Sequence, residues 1–222
     1  DAFDLQDCEE LTVEAGRPDT ITAEKLAVLA RRGCSRVSVN PQTMQDAVLE
    51  RMGRAHRADD ILRAYALARE SGIGCINMDL IAGLPGDSAE GFRASLEQVL
   101  ALGPENVTVH TLALKKGSRL MEEGGGLPSG AAVADMLDFA WAALRAAGQR
   151  PYYLYRQKYM SGSFENVGWC RPGAESLYNI CMMEELHTIV SLGGGGVTKL
   201  VDRATGYIER LANAKYPQEY IQ

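Results

Sequence analysis

The stretch Cys75-Ile76-Asn77-Met78-Asp79-Leu80-Ile81-Ala82-Gly83-Leu84-Pro85-Gly86-Asp87-Ser88 decides how this chain folds. A short apolar run bounded by turn residues reads as a buried strand of a parallel sheet. Gly83-Leu84-Pro85-Gly86 ends it, and Asp87 or Ser88 supplies the N-cap of a following helix. One acid interrupts the strand. Taking Asp79 out of water costs free energy unless its carboxylate is paired, hydrogen-bonded or turned to a polar ligand. From the residue alone, a structural acid and a ligand-binding acid are equally good readings.

Outward from this stretch the same strand–helix unit repeats. Upstream, Leu11–Ala15 reads as a short strand closed by Gly16-Arg17-Pro18-Asp19, and Thr22 caps a helix with Leu26, Leu29 and Ala30 on one face. Gly33 ends that helix and Val37–Asn40 is the next strand. Pro41 turns the chain into Met44–Met52, and Asp59/Asp60 open a second helix that runs to Ser71. Downstream, Phe92, Leu96, Val99 and Leu100 form the apolar stripe of a helix packed on a sheet. Gly103-Pro104 stops it, Asn106–Leu112 is a strand, and Val133, Met136, Leu137, Ala140, Trp141 and Leu144 mark one further helix. Alternation of this kind over residues 11 to 148 predicts parallel strands with right-handed crossovers. A doubly wound sheet and a TIM-type barrel both fit, although the GxGxxG fingerprint of a dinucleotide fold is absent.

Beyond Gly148 the pattern changes. Tyr152, Tyr153, Tyr155, Tyr159, Phe164 and Trp169 are interleaved with Arg156, Lys158 and Arg171. This stretch suits either stacking on a flat aromatic ligand or aromatic packing under a surface layer. Leu177–Met183 and Thr188–Leu192 read as β runs, and Gly193–Gly196 as a tight turn before a strand at Val197–Val201. Residues 205 to 222 read as one or two terminal amphipathic helices. The expected organisation is therefore α/β over residues 1–148 and an α+β extension over 149–222.

Composition narrows the function. The 222 residues are 46% hydrophobic and 23% charged, and the net charge of −6 argues against a nucleic-acid surface. No apolar run is long enough to span a bilayer, so the expectation is a cytoplasmic protein without a membrane span. Five scattered cysteines (8, 34, 75, 170 and 181) show neither CxxC nor CxxxCxxC, and read as reduced thiols packed as small apolar groups. The histidines at 56, 110 and 187 lack metal-site spacing.

In parallel α/β folds ligands bind at the C-terminal ends of strands. Here those ends carry Glu14, Asn40 with Gln42, Asp79, and His110 with Thr111. Four strands sending polar groups to one rim predict a pocket for a ligand with hydroxyls, an amine and a ring edge.

Read together, four segments resemble a known family in order and spacing. They are Thr12–Pro18, Arg36–Gln42, Arg51-Met52-Gly53-Arg54 and Asn77–Gly86. The family is that of the oxygen-independent coproporphyrinogen III oxidases, radical S-adenosylmethionine (SAM) enzymes of haem biosynthesis. Glu165–Cys170 and Tyr178-Asn179-Ile180 resemble its Z-type coproporphyrinogen dehydrogenase branch. The resemblance implies a partial radical-SAM (β/α) barrel with a β-containing C-terminal extension. It places SAM contacts on Glu14, Gln42, Arg54, Asp79 and, through its backbone, Ala113. The implied chemistry is one-electron cleavage of SAM, hydrogen abstraction from a propionate of coproporphyrinogen III, and loss of CO2 to leave a vinyl group. A tetrapyrrole substrate and an electron donor are the implied partners.

The sequence departs from that family in two respects. The CxxxCxxC that binds the family's [4Fe–4S] cluster is absent, as is the Gly-rich turn for the SAM amino group. The chain thus resembles a fragment of a longer protein, expected to be inactive alone and to expose an apolar sheet edge near Leu11 through which copies could associate. The alternative is a non-catalytic haem or tetrapyrrole chaperone of the same superfamily.

Overall fold

The computed structural model describes residues 5–113, 126–156 and 164–221. Six strands form one sheet in the order β1-β2-β3-β4-β6-β5. They are β1 (Thr12–Gly16), β2 (Arg36–Val39), β3 (Cys75–Ala82), β4 (Asn106–Thr111), β5 (Arg150–Tyr155) and β6 (Asn166–Cys170). β1 to β4 pair in parallel, as the alternation predicts, and β6 joins β4 and β5 antiparallel. This is a mixed, mostly parallel α/β sheet. The parallel strands are linked through α1 (Ala23–Arg31), α2 (Asp46–Arg51), α3 (Ala58–Glu70) and α4 (Ala89–Leu102), and α5 (Gly130–Ala146) precedes β5.

Local chemistry places the helix ends. Thr22 Oγ1 accepts from Lys25 N at 3.4 Å, Ser88 Oγ from Gly91 N at 3.0 Å and Ser129 Oγ from Ala132 N at 3.2 Å. Each cap satisfies one amide that the helix itself leaves without a partner. Of the two caps expected after the opening strand, Ser88 is the one used. Gly103 ends α4 in the left-handed region at φ 74°, where a side chain would be strained.

Strand residues alternate between faces, and the two faces of this sheet differ in chemistry. Val13, Val37, Val39, Ile76, Met78, Leu80, Val107, Val109 and Trp169 share one core with Leu26, Ile61, Leu96 and Leu144 of the helices. Burial of each such side chain contributes about 1.5–3 kcal/mol. The other face carries Glu14, Ser38, Asn77, Asp79, Thr108, His110, Tyr153 and Tyr155. β1 is an edge strand, and its helix-side face with Thr20, Ile21, Lys25, Leu26, Val28 and Leu29 lines an open, largely apolar groove of about 360 Å³.

By contact the chain forms two compact units, Asp1–Glu175 and Ser176–Gln222. The change of architecture expected at residue 149 is a change from parallel to antiparallel pairing, while the division between units falls after Glu175. The second unit holds α6 (Leu177–Met183), an antiparallel hairpin of β7 (Val197–Val201) and β8 (Ile208–Ala212), and α7 (Pro217–Tyr220).

Three readings are corrected here. Leu177–Met183 is a helix, because Ser176 caps it by accepting from Asn179 N at 3.3 Å and the run has one β-branched residue among unbranched ones. Thr188–Leu192 pairs only at Ile189, opposite Lys199, with Ile189 N donating to Lys199 O at 2.8 Å. Within residues 205–221, Ile208–Ala212 is a strand and only Pro217–Tyr220 is helical, since Gly206 at φ 72° reverses the chain and β8 finds ladder partners on β7. Gly193–Gly196 is the expected tight turn, closed by Gly196 N donating to Gly193 O at 3.2 Å. Gly124, Gly125, Lys158 and Tyr159 lie outside the described residues.

Candidate functional site

The polar face is assembled strand by strand. Register sets Glu14 beside Ser38, Ser38 beside Asn77, and Asp79 beside Thr108. Next across the sheet come Gly168 opposite Thr108, then Tyr153 opposite Gly168 and Tyr155 opposite Asn166. Gly168 matters sterically: a Cβ there would lie 1.8 Å from the Tyr153 ring, so only glycine lets that ring lie across β6. Tyr153 and Tyr155 rings are parallel within 6°, with centroids 6.3 Å apart.

Asp79 stands at the centre of this face, half-buried. Asn77 Nδ2 donates to Asp79 Oδ1 at 2.7 Å, and His110 Nε2 lies 3.5 Å from Asp79 Oδ2. Thr108 Oγ1 donates to Asn77 Oδ1 at 3.3 Å and lies 3.4 Å from the Tyr153 hydroxyl. Burial raises the Tyr153 phenol well above its ordinary range, and burial followed by the Asp79 charge raises Tyr155. Both remain donors at neutral pH.

Glu14 reaches the same place from β1. Its carboxyl is raised, first by the desolvation that neighbouring side chains impose and second by the Asp79 charge, against hydrogen bonds from Ser38 and Asn40. Asn40 Nδ2 donates to Glu14 Oε2 at 3.4 Å, while Asn40 Oδ1 is buried without a partner. A buried acceptor without a donor costs about 1–3 kcal/mol. A ligand hydroxyl or ammonium there would remove that cost.

Gln42 is held in left-handed backbone at φ 67°, rare for a residue with a side chain. Two backbone bonds lock it against β3: Gln42 N donates to Asp79 O at 2.9 Å, and Ile81 N donates to Gln42 O at 2.9 Å. Arg54 lies in the β2–α3 connection, anchored by its amide to Leu49 O at 2.9 Å. Ala113 lies two residues past the end of β4. The structure thus brings Glu14 of β1, Asp79 of β3 and Gln42, just past the end of β2, together. Arg54 and Ala113 belong to connections at the same ends of β2 and β4, without a direct bond to the other three.

Sequence reading missed Asn77, Thr108, Tyr153 and Tyr155 as members of this array. Their signal was the period of two, which puts Asn77 on the face of Asp79 and Thr108 on the face of His110. Among the described residues no group of His, Cys, Asp and Glu is arranged to hold a metal ion.

The opposite end of the same face is closed. Arg36 is buried, and its guanidinium donates to Cys75 Sγ at 2.7 Å, to Asn106 Oδ1, and to the carbonyls of Ala174 and Glu175 at 3.0 and 3.1 Å. Glu10 Oε2 lies 3.6 Å from its Nε. These contacts fill that end of the face with protein groups.

His56, two residues from Arg54, carries a testable pH dependence. It is 2% exposed, both ring nitrogens lack hydrogen-bond partners, and Asp19 Oδ1 stays 3.8 Å away. Burial, before any charge, pushes its pKa down. The unfolded chain takes up a proton near pH 6.5 that the folded ring refuses, so stability falls as pH drops below that value. Urea midpoints are expected to fall on acidification, at up to about 1.4 kcal/mol per pH unit. His56→Gln should flatten the slope; an unchanged slope would refute the assignment.

The chain's likeness to known proteins follows the same residues. Residues 7–99 match the family described as the radical SAM superfamily. The chain is 45% identical over 219 residues to the oxygen-independent coproporphyrinogen-III oxidase-like protein HemZ of Bacillus subtilis, spanning 98% of this chain and 44% of that protein. It is 30% identical over 221 residues to the heme chaperone HemW of the same organism, spanning 95% of this chain and 55% of that protein. It superposes on the coproporphyrinogen III oxidase HemN of Escherichia coli, a radical SAM enzyme, with TM-score 0.70 and 20% identity over 94% of this chain and 47% of that one. That last likeness shows a shared fold. The chain spans about half the length of the curated relatives it matches.

Proposed function

We propose, from the radical SAM domain that residues 7–99 carry, that the open end of the polar face binds S-adenosylmethionine. The observation that carries this reading is Asp79, a carboxylate that accepts from Asn77 Nδ2 on one oxygen, faces His110 across 3.5 Å on the other, and is set beside Glu14 and the unpartnered Asn40 Oδ1. In this reading Asp79 and Glu14 take ligand hydroxyls and the ammonium. Gln42 and Arg54 hold the polar ends from the β2–α3 connection, and the backbone at Ala113 lines the adenine side. Acids and amides at this end suit such a ligand better than a bare phosphate would.

The bound SAM supplies one-electron chemistry when it sits beside a [4Fe–4S] cluster. The described residues do not fit that cluster. Cys34, Cys75 and Cys170 are buried, and burial pushes the Cys75 and Cys170 thiols up to about 11 and about 12, away from the thiolate form that iron requires. Cluster ligands would come from other residues of the full-length protein. Its proposed activity is oxidative decarboxylation of coproporphyrinogen III propionates to vinyls, giving protoporphyrinogen IX, in the cytoplasm and with an electron donor. The extent of likeness to HemZ supports this, as do the parallel Tyr153 and Tyr155 rings, a flat surface on which a pyrrole edge can pack. No helix among the described residues is long and apolar enough to cross a membrane.

A haem or tetrapyrrole chaperone is the second reading, favoured by the likeness to HemW. Propionate decarboxylation by the cluster-loaded full-length protein, with SAM and a reductant, supports the first; haem binding without turnover supports the second. The site itself is tested by calorimetry of the full-length protein with S-adenosylhomocysteine. Asp79→Ala and Glu14→Ala are each expected to weaken binding about 10–100-fold, the worth of a hydrogen bond to a charged group. Unchanged affinity in both variants would remove the reading.

A further inference from the structure

Asn77 and Asp79 stand two residues apart on β3, so the pleat sends both side chains to the polar face. Both are short, and they meet only because they lean along the strand toward each other: Asn77 Nδ2 donates to Asp79 Oδ1 at 2.7 Å. A carboxylate only accepts, so the Asn77 amide has to present its nitrogen to Asp79 and turn its oxygen away. That oxygen takes the Thr108 hydrogen at 3.3 Å. A hydroxyl has one hydrogen, so Thr108 meets the Tyr153 hydroxyl, 3.4 Å away, as the acceptor. Donors therefore run one way, from Tyr153 through Thr108 and Asn77 to Asp79. Shape fixes the far end of the row, because the Tyr153 ring lies across Gly168, where a Cβ would come within 1.8 Å of it. Asn77 and Asp79 are half-buried, whereas Thr108 is 3% exposed. A ligand on the open face meets the first two and not the third.

We propose that Asn77 is a positioning residue for Asp79, and that Thr108 is the group that keeps the Asn77 amide turned the right way. The inference rests on the reading of Asp79 as the carboxylate that meets the hydroxyls or ammonium of SAM. An unheld aspartate turns among rotamers, and a ligand that needs one of them bears the cost of fixing it. Asn77 holds Oδ1 before the ligand arrives, and the lone pairs that remain on the carboxylate are aimed by that one bond. Thr108 acts one step further back. Without its hydroxyl the Asn77 amide loses its second anchor and turns about its side-chain bonds, so its hydrogen is no longer held on Asp79. A buried residue that no ligand of this face touches thereby sets part of the site's affinity.

The experiment is calorimetry of the full-length protein with S-adenosylhomocysteine at neutral pH, with urea midpoints recorded for the same variants. Asn77→Leu keeps the shape and removes the donor, and should bind about fivefold more weakly, the worth of one hydrogen bond. Thr108→Val removes only the buried hydroxyl and should weaken binding about threefold, within the same range. Thr108→Ser keeps the hydroxyl and should bind as the wild type does. Asn77→Leu combined with Thr108→Val should bind no more weakly than Asn77→Leu alone, because both changes break one row of bonds. A merely structural role would lower the urea midpoints and leave the affinity of the folded protein unchanged. The positioning role is overturned if Asn77→Leu and Thr108→Val bind as the wild type does, if Thr108→Ser is as weak as Thr108→Val, or if the two losses add. Should Asp79→Ala lose binding in that case, the ligand site still stands; should Asp79→Ala and Glu14→Ala both bind normally, the site falls as well. A wild type that does not bind the probe overturns both.

Discussion

Arg36→Met is expected to destabilise the protein by about 3–5 kcal/mol, the cost of removing one partner from a buried ion pair. Arg36 is 7% exposed, and its guanidinium carries four donor bonds as well as facing Glu10. A methionine of similar length fills the space but removes the guanidinium that faces the Glu10 carboxylate, whose side chain is 10% exposed. It also leaves the Ala174 and Glu175 carbonyls short of donors, although Asn106 Nδ2 still reaches Ala174 O at 2.8 Å. Glu10→Gln combined with Arg36→Met should recover part of the loss, because the carboxylate charge that faced the guanidinium is then removed with it. Urea unfolding of the three variants measures this; a single-variant cost under about 1 kcal/mol would show that solvent reaches the site and screens the pair.

Trp169→Ala should cost about 3–5 kcal/mol, the range for removing a large aromatic side chain from a core. Trp169 is 2% exposed, lies opposite Val107 on one side and Pro151 on the other, and meets Trp141 of α5 edge-on, with centroids 4.8 Å apart. The truncation opens a cavity between β6 and α5 and removes the ring that Trp141 packs against. Trp169→Phe keeps most of the apolar volume and should cost less than half as much. Only two tryptophans are present, so the fluorescence of Trp169→Ala reports Trp141 alone. A red shift of that emission at unchanged far-UV dichroism is expected. Native-like emission with an unchanged urea midpoint would show that α5 does not depend on this contact.

The two variants act at opposite faces of one sheet, and the difference explains what a reader of the chain could see. Apolar residues at every second position announce Val37/Val39, Ile76/Met78/Leu80 and Val107/Val109 as strands packed under helices. Caps at Thr22 and Ser88 are equally local signals. Strand-end polarity singled out Glu14, Gln42 and Asp79, which the structure brings together, because a residue at the end of a parallel strand needs no distant partner to be placed.

Asp79 was legible as a costly acid; what makes it a binding group was not. Its donor Asn77 lies two residues away, but the groups around that pair come from segments far apart: Thr108 lies 31 residues from Asn77, and Tyr155 lies 45 residues from His110. Local periodicity tells which face a side chain takes and says nothing about which strand lies alongside. The same limit explains why Leu177–Met183 reads as strand yet caps itself as a helix, and why Ile208–Ala212 reads as helix yet pairs with Val197–Val201. From residues alone, the chain's repeating strand–helix order, its apolar face and the acids at its strand ends could be known. Pairing decided the rest: the antiparallel return of β6 and β5 brought Tyr153, Tyr155 and Asn166 to the polar face, and hydrogen-bond direction, a property of contacts between strands, was set only there.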